Sequence, residues 1–273
     1  MGEITEIPLR LKSAGAMGRW LAYGYALFRR YPGISMSFAA IFVVPGLALE
    51  YWLLATDYAL YYFILAAGFV LLVPFLFAPY YHLATAVSRG QAPPVLPGVL
   101  FRTPPAVLGL GMISGALFLI WATDAFIIYS VYFSFDPLPG LFRGGEAGSR
   151  AVSFLGWATL LGAVLSLIIL FITPFSIPHA IDDGSGFVDA IVFSVKGVAR
   201  NAAIVAPWVA LLGAATLLTT LIALPLGLAL FPLLAYANYD CYRELAAKSG
   251  AAGQGAAPGG SGRAWNREKR RTE

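Results

Sequence analysis

Residues 154–177 read FLGWATLLGAVLSLIILFITPFSI, an apolar run that contains no charged side chain. A helix needs about 20 mostly apolar residues to cross the hydrocarbon core of a bilayer, so this run is long enough to span a membrane. The whole chain has a similar character, because 59% of its residues are hydrophobic and only 12% are charged. Typical soluble domains carry about 25% charged residues. The sequence therefore predicts an all-α, polytopic membrane protein.

Five further segments resemble this run in length and hydropathy. The predicted spanning helices cover residues 33–56, 58–80 with a continuation to 88, 105–133, 154–177, 202–223 and 226–245. These six transmembrane helices form a predicted membrane domain over residues 33–247, preceded by a cytoplasmic arm over residues 1–32. Residues 248–273 are rich in Gly and Ala and then basic, a composition that predicts a disordered tail.

The distribution of Lys and Arg predicts the orientation of the bundle. Cytoplasmic loops of membrane proteins carry an excess of these two residues. Of the 18 Lys and Arg residues, only Arg143 and Arg150 would fall on the outer side of a six-helix bundle. We therefore expect both termini to be cytoplasmic (N-in/C-in). The heavy use of Ala, Gly, Leu and Arg is typical of a bacterial source, which predicts location in a bacterial inner membrane.

Two segments that precede spanning helices have similar patterns. Residues 17–30 and 187–200 each place apolar side chains on one face at helical spacing, which predicts two amphipathic helices in the cytoplasmic interface. Each leads into a helical hairpin whose second helix contains a proline, Pro74 or Pro232. Residues 16–90 and 186–247 are therefore a candidate parallel repeat, or two copies of a common membrane module.

The two prolines are candidate helix breaks. Broken helices at matching positions of two repeats often flank a binding site. The alternative is that neighbouring groups satisfy the carbonyl groups that each proline leaves free, so that the prolines have no functional meaning.

Asp124 is the most informative single residue, because it lies within the predicted third spanning helix. A carboxylate at that depth costs a few kcal/mol on insertion scales. It is therefore a candidate intramembrane polar site for a proton or cation. The alternative is a carboxyl group that is hydrogen-bonded locally near the outer interface.

Small residues at four-residue spacing define a candidate helix-docking face. Such residues let helix backbones approach closely, either for packing within the bundle or for docking of a partner helix. They are Gly111 and Gly115 on the third predicted helix, and Gly162 and Ser166 on the fourth.

The predicted cytoplasmic loop after residue 177 contains several charged residues, namely Asp182, Asp183, Asp189 and Arg200. Three carboxylates could bind a divalent ion, but their spacing fits no known ion-binding loop. Acidic residues also stabilise the electropositive N-terminus of a helix, and we expect this capping role for Asp182 and Asp183.

The residues that carry metal or redox chemistry are scarce. The chain has two histidines, His82 and His179, and one cysteine, Cys241. The two histidines could together bind one metal or haem, but histidines at interfaces are more often ordinary polar anchors. A haem-copper catalytic core needs more histidines than these two, and we find no phosphate-binding loop or activated nucleophile. We expect no enzyme activity, no metal site and no intrinsic cofactor. Bound lipid fits this composition, and pigment or haem would come only through partner subunits.

The region after residue 177 carries a family resemblance. It combines a proline and acidic residues, an Arg-Asn pair, a tryptophan, and the closing pattern PLLAYANYDCYREL. The positions are Pro178, Asp182 or Asp183, Asp189, Ala190, Ser194, Arg200, Asn201, Trp208, Pro232, Tyr239, Tyr242 and Arg243. This pattern resembles a bacterial family of integral-membrane proteins of unknown function, some of whose members are labelled cytochrome c oxidase subunits. The family's proline after the Arg-Asn pair is absent, because Ala202 stands there.

The resemblance and the absence of catalytic residues imply an accessory or assembly subunit of a respiratory or photosynthetic inner-membrane complex. Its expected partners are membrane lipids and other integral-membrane subunits, and not nucleic acid. The alternative is a small-solute or ion transporter with Asp124 in its pathway. An enzyme that acts on lipid would need a cluster of polar residues at one depth, and the sequence shows none.

Overall fold

The computed structural model describes residues 15–56, 59–95, 98–99, 103–133 and 146–255. These residues form helices joined by short connections, and no strand occurs among them. The all-α class is confirmed. Residues 1–14 of the cytoplasmic arm, the connection around residue 140 and the end of the tail lie outside the described residues.

The helices are numbered here in chain order. The first four are α1 (Ala16–Arg30), α2 (Pro32–Leu54), α3 (Ala59–Leu76) and α4 (Ala78–Ser88). The next three are α5 (Pro105–Phe133), α6 (Glu146–Ile172) and α7 (Ser176–Asp183). The last three are α8 (Phe187–Arg200), α9 (Ala202–Ile222) and α10 (Gly227–Gly255), and a short 3₁₀ turn, Leu224–Leu226, joins α9 to α10.

Five segments of the described chain are long and apolar enough to cross a membrane. They are Pro32–Leu54, Ile64–Ser88, Pro105–Phe133, Val152–Asp183 and Ala202–Ile222. This confirms a polytopic membrane protein. The predicted sixth helix corresponds to α10, which is not among the five because Asn238, Asp240 and Arg243 lower its mean hydropathy.

The predicted helix over residues 154–177 differs from the structure at both ends. α6 begins earlier, at Glu146, and ends at Ile172. α7 then begins at Ser176 as a separate helix. Pro174 and Pro178 explain the division, since each lacks the backbone N–H that would continue the ladder.

Prolines also shape the second helix of each hairpin, with different results. The first hairpin is divided at Phe77, where α3 ends and α4 begins, between Pro74 and Pro79. In contrast, α10 continues through Pro232 without interruption. It also runs on to Gly255, into the segment that the sequence predicts to be disordered. The disordered tail over residues 248–273 remains a prediction, and most of it lies outside the described residues.

α10 is the central helix of the bundle. Its side chains are almost entirely enclosed by protein between Phe231 and Leu245, and Tyr236, Ala237 and Cys241 have no solvent-exposed surface. α1, α2, α4 and α9 all pack on it. A helix surrounded by protein does not need an apolar surface on every side, which explains how α10 accommodates its polar residues.

α1 packs on α10 through its apolar face. Trp20 is fully buried, and its ring lies 5.2 Å from that of Trp208 in an edge-to-face arrangement. At Gly24 the two helices cross so closely that a Cβ atom would overlap the carbonyl oxygen of Leu233. α10 therefore covers the apolar face of α1, and the location of α1 in the cytoplasmic interface remains a prediction.

The second amphipathic segment, α8, has different neighbours. It contacts α5, α6, α7 and α9, and Gly197 lies against Leu245 of α10. α1 and α8 thus pack in different environments, and the internal repeat remains a prediction.

Candidate functional site

Asn238 forms a buried polar centre on α10. Its side chain is 2% exposed. The carboxamide oxygen accepts a hydrogen bond of 3.1 Å from Nε1 of Trp208 on α9. The carboxamide nitrogen donates two bonds of 2.9 Å, to the Tyr81 hydroxyl and to the carbonyl oxygen of Pro174. One side chain therefore joins α9, α10, α4 and the connection between α6 and α7.

The bond to Pro174 follows from the sequence. In a continuous helix the carbonyl of residue 174 would accept from the N–H of residue 178. Residue 178 is a proline, which has no N–H. A backbone carbonyl left unpaired in a membrane interior costs several kcal/mol, and Asn238 supplies the missing donor.

Two tyrosines extend this cluster toward the ends of α4 and α7. The Tyr239 hydroxyl accepts a hydrogen bond of 3.1 Å from Thr85 and lies 3.3 Å from the Ser88 hydroxyl. The Tyr242 hydroxyl donates to Asp182 at 3.1 Å. Arg89 pairs with the same carboxylate at 3.0 Å. We call Tyr81, Trp208, Asn238, Tyr239 and Tyr242 the tyrosine–asparagine cluster.

α1 is attached to α10 at Glu244, which follows the tyrosine–asparagine cluster along the chain. Nε1 of Trp20 donates a hydrogen bond of 3.2 Å to Glu244, and Arg19 lies 3.6 Å from that carboxylate. Burial raises the pKa of the Tyr23 hydroxyl above its ordinary value, while the nearby guanidinium of Arg243 opposes part of that rise. Tyr23 is therefore uncharged at neutral pH.

A large apolar cleft lies beside this cluster, with a volume of about 920 Å³. Ligand pockets typically enclose about 300–1,000 Å³, so the cleft is large enough for a substantial molecule. α6 and α9 supply its walls and α3 supplies its floor. It reaches the protein surface beside Leu155 and Leu167, whose side chains are 47% and 54% exposed.

The chemistry of the cleft is uniform along most of its length. Small residues line both walls, including Ala158 and Gly162 on α6 and Ala210 and Gly213 on α9. Among the described residues, none that lines the cleft carries a charged side chain. Tyr81 and Asn238 lie at one end, together with Thr173 and Pro174. The arrangement suits a long apolar molecule with one polar group.

Asp124 lies on α5 apart from this cleft. It is half-buried, at the border between the inner face of α5 and its exposed face. Trp121 and Ala125 on the same helix line the cleft, but Asp124 is not among the described lining residues. The structure thus places the sequence-predicted polar site outside this apolar cleft.

The candidate helix-docking residues divide into two groups. A Cβ atom on Gly111 would lie 2.6 Å from the ring of Phe75, and one on Gly162 would lie 3.0 Å from Trp121. Both glycines therefore serve packing within the bundle. A Cβ atom on Gly115 would meet nothing within 4 Å, so this position is open. Ser166 lines the cleft.

The two candidate helix-break prolines have different surroundings. Pro74 lines the cleft floor next to the joint between α3 and α4. Pro232 is buried in α10 and does not line the cleft in the part of the chain that the structure describes.

The acidic loop residues have partners other than those expected. Asp182 and Asp183 form the end of α7, where Asp182 pairs with Arg89, so neither caps the N-terminus of α8. The acidic residue in the first turn of α8 is Asp189, and the basic residue in its last turn is Arg200. Within the described ranges, no group of three His, Cys, Asp or Glu residues is arranged to hold a metal ion.

The sequence analysis did not identify Asn238 or Tyr81. A signal was available, because Pro174 and Pro178 at four-residue spacing leave a buried carbonyl without a donor. The location of that donor, 64 residues further along the chain, requires the tertiary structure.

These features define an integral membrane protein with several spanning helices. Residues 62–182 match a family described as "Predicted integral membrane protein (DUF2189)". This confirms the resemblance to an integral-membrane family of unknown function. The matched segment covers the cleft floor, one wall and α7. Most of the positions that suggested the resemblance, including the whole closing pattern, lie beyond it. Neither the curated proteins nor the solved structures gave a match.

Proposed function

We propose that this protein is a non-catalytic accessory or assembly subunit of a respiratory or photosynthetic complex in a bacterial inner membrane. The observation that supports this most is the open position at Gly115 on the exposed face of α5. Leu108, Met112 and Leu119 flank it at helical spacing, with exposed fractions of 52%, 77% and 64%. We call these four residues the α5 face.

Glycine at this position has a cost that the isolated chain does not offset. A glycine inside a helix is less favourable than alanine by about 1 kcal/mol. Gly111 compensates by letting Phe75 approach, but Gly115 has nothing within 4 Å of its Cβ position. A partner helix could approach closely at such a position, and the α5 face is therefore our proposed docking surface for another membrane subunit.

In this proposal α10 is the sixth spanning helix, and both termini are cytoplasmic. Its packing against α1, α2, α4 and α9 supports a spanning α10, since Asn238 and the tyrosines beside it contact protein. A green fluorescent protein fused after Gly255 should be fluorescent, and alkaline phosphatase fused there should be inactive. Active phosphatase at this position would contradict the orientation.

The docking surface is tested by replacing Gly115 with leucine. Tagged protein is extracted from its native membranes in mild detergent, and co-purifying chains are quantified by mass spectrometry. We expect a stoichiometric integral-membrane partner with the wild-type protein and at least a fivefold loss with Gly115→Leu, because the larger side chain holds the partner backbone away.

Gly156→Leu is the matched control, since Gly156 on α6 is also exposed and has nothing within 4 Å of its Cβ position. It should retain the partner fully. Purification of the wild-type protein without any partner, or equal retention by both variants, would contradict the proposal.

The transporter alternative predicts a different result for Asp124. The uncharged lining of the cleft supports the accessory role over ion transport. In the same purification, Asp124→Asn should retain the partner and leave the proton and cation permeability of reconstituted vesicles unchanged. Loss of a measurable flux in Asp124→Asn, with the fold intact, would favour transport.

A further inference from the structure

We propose that the apolar cleft is a binding site for one long-chain membrane molecule that places a carbonyl oxygen beside Tyr81. The carbonyl comes either from the acyl ester of a lipid or from the ring of an isoprenoid quinone. This inference depends on the cleft alone and is independent of the proposed α5 face.

The length and lining of the cleft suit a hydrocarbon chain. Its lining on α9 runs from Ala206 to Leu221, a length of about 22 Å at 1.5 Å per residue. Small uncharged residues on both walls, including Gly162 and Gly213, leave room for such a chain along this length.

The polar groups of the cleft favour a carbonyl at one end. Tyr81 is 2% exposed and lines the cleft. Its hydroxyl accepts a hydrogen bond from Asn238, and in the part of the chain that the structure describes it donates none. Asn238 itself uses both of its N–H donors within the protein. At this polar end of the cleft, Thr173 donates to the carbonyl of Ile169, so the unused donor there is the Tyr81 O–H group, which calls for an acceptor from the ligand.

The absence of charge from the described lining determines the rest of the ligand's chemistry. A charged group in an apolar site needs a paired charge or several hydrogen bonds, and the lining provides neither along the walls. The part of the molecule that enters the cleft is therefore neutral. A charged headgroup would lie outside the cleft, either at the opening beside Leu155 and Leu167 or beyond the polar end.

The test fills the cleft and measures retained lipid. A Cβ atom on Gly213 would meet only Val70, at 3.9 Å, so the side chain of Gly213→Leu extends into free space in the cleft. Protein purified in mild detergent is extracted with chloroform and methanol, and ester lipids and quinones are quantified per mole of protein. We expect about one enriched carbonyl-bearing molecule in the wild-type protein and in Gly156→Leu, and at least tenfold less in Gly213→Leu.

Two further variants keep the test decisive. If Gly213→Leu does not fold, Ala210→Leu fills the same wall. Tyr81→Phe keeps the shape of the cleft but removes the donor, and it should retain several-fold less of the enriched species. Mass and ultraviolet absorbance distinguish an ester lipid from a quinone, and either supports the site. No enriched species, equal retention by Gly213→Leu and Gly156→Leu, or loss of a protein subunit instead of lipid would overturn the inference.

Discussion

Replacement of Asn238 by leucine is expected to produce the largest loss of stability of any single substitution in this bundle. The change removes the acceptor for Trp208 and the donor to the Pro174 carbonyl, and leaves both buried groups unpaired. Each unpaired buried group costs about 1–3 kcal/mol, so the free energy of unfolding should fall by about 2–6 kcal/mol. Unfolding in mixed micelles by titration with sodium dodecyl sulfate measures this difference.

Thr123→Leu is the matched control for this prediction. It also places leucine at a polar position of a membrane helix, but Thr123 is exposed on α5. Its free energy of unfolding should remain within about 0.5 kcal/mol of the wild-type value, as expected for surface substitutions. Equal midpoints for Asn238→Leu and Thr123→Leu would show that the tyrosine–asparagine cluster does not hold the bundle together.

Substitution of Gly24 by alanine should displace α1 from α10. The added Cβ atom would overlap the carbonyl oxygen of Leu233 and lie 3.0 Å from the backbone nitrogen of Ala237. Because these are backbone atoms, no side-chain rotation relieves the overlap, and overpacking of this kind costs about 1–3 kcal/mol. Trp20 would leave its contact with Trp208, so its fluorescence should shift to longer wavelength and become accessible to iodide.

The same helix offers a control in Gly18, which is exposed and has nothing within 4 Å of its Cβ position. Gly18→Ala should stabilise α1 slightly, by up to about 1 kcal/mol, because alanine has the higher helix propensity. If Gly24→Ala is as stable as Gly18→Ala and its tryptophan fluorescence is unchanged, α1 does not pack on α10 through Gly24.

Hydropathy was sufficient to predict the membrane class and most of the spanning helices, because lipid-exposed helices must be apolar along their whole length. Mean hydropathy did not indicate that residues 154–177 belong to two helices, since the segment stays apolar although Pro174 and Pro178 interrupt its backbone. It also could not show that α10 is central. A helix enclosed by protein escapes the constraint that lipid imposes, and only the packing reveals that enclosure.

The candidate site was less accessible to prediction than the fold. Asp124 was singled out because of its charge, yet the described cleft is lined by uncharged residues from six helices. No local sequence pattern indicates that a cleft lies between α6 and α9. The roles of Gly111 and Gly115 also diverge, although both have the same spacing, because only Gly111 lies opposite Phe75.

Several positions in the pattern that suggested a family resemblance have structural roles. Pro178 frees the carbonyl that Asn238 binds, Trp208 donates to Asn238, and Tyr242 bonds to Asp182. Ser194 donates to the carbonyl of Phe171. The first three residues hold α10 against its neighbours, and Ser194 joins α8 to α6. The resemblance therefore carries information about the fold and much less about chemistry.

The most direct test of the central claim, that this protein is an accessory subunit docked through α5, is quantitative purification from native membranes. Wild-type protein, Gly115→Leu and Gly156→Leu are extracted in parallel, and the partner chains retained by each are measured by mass spectrometry. The proposal predicts a stoichiometric membrane partner with the wild-type protein and Gly156→Leu, and its loss with Gly115→Leu. A wild-type protein that purifies with no partner subunit would contradict it.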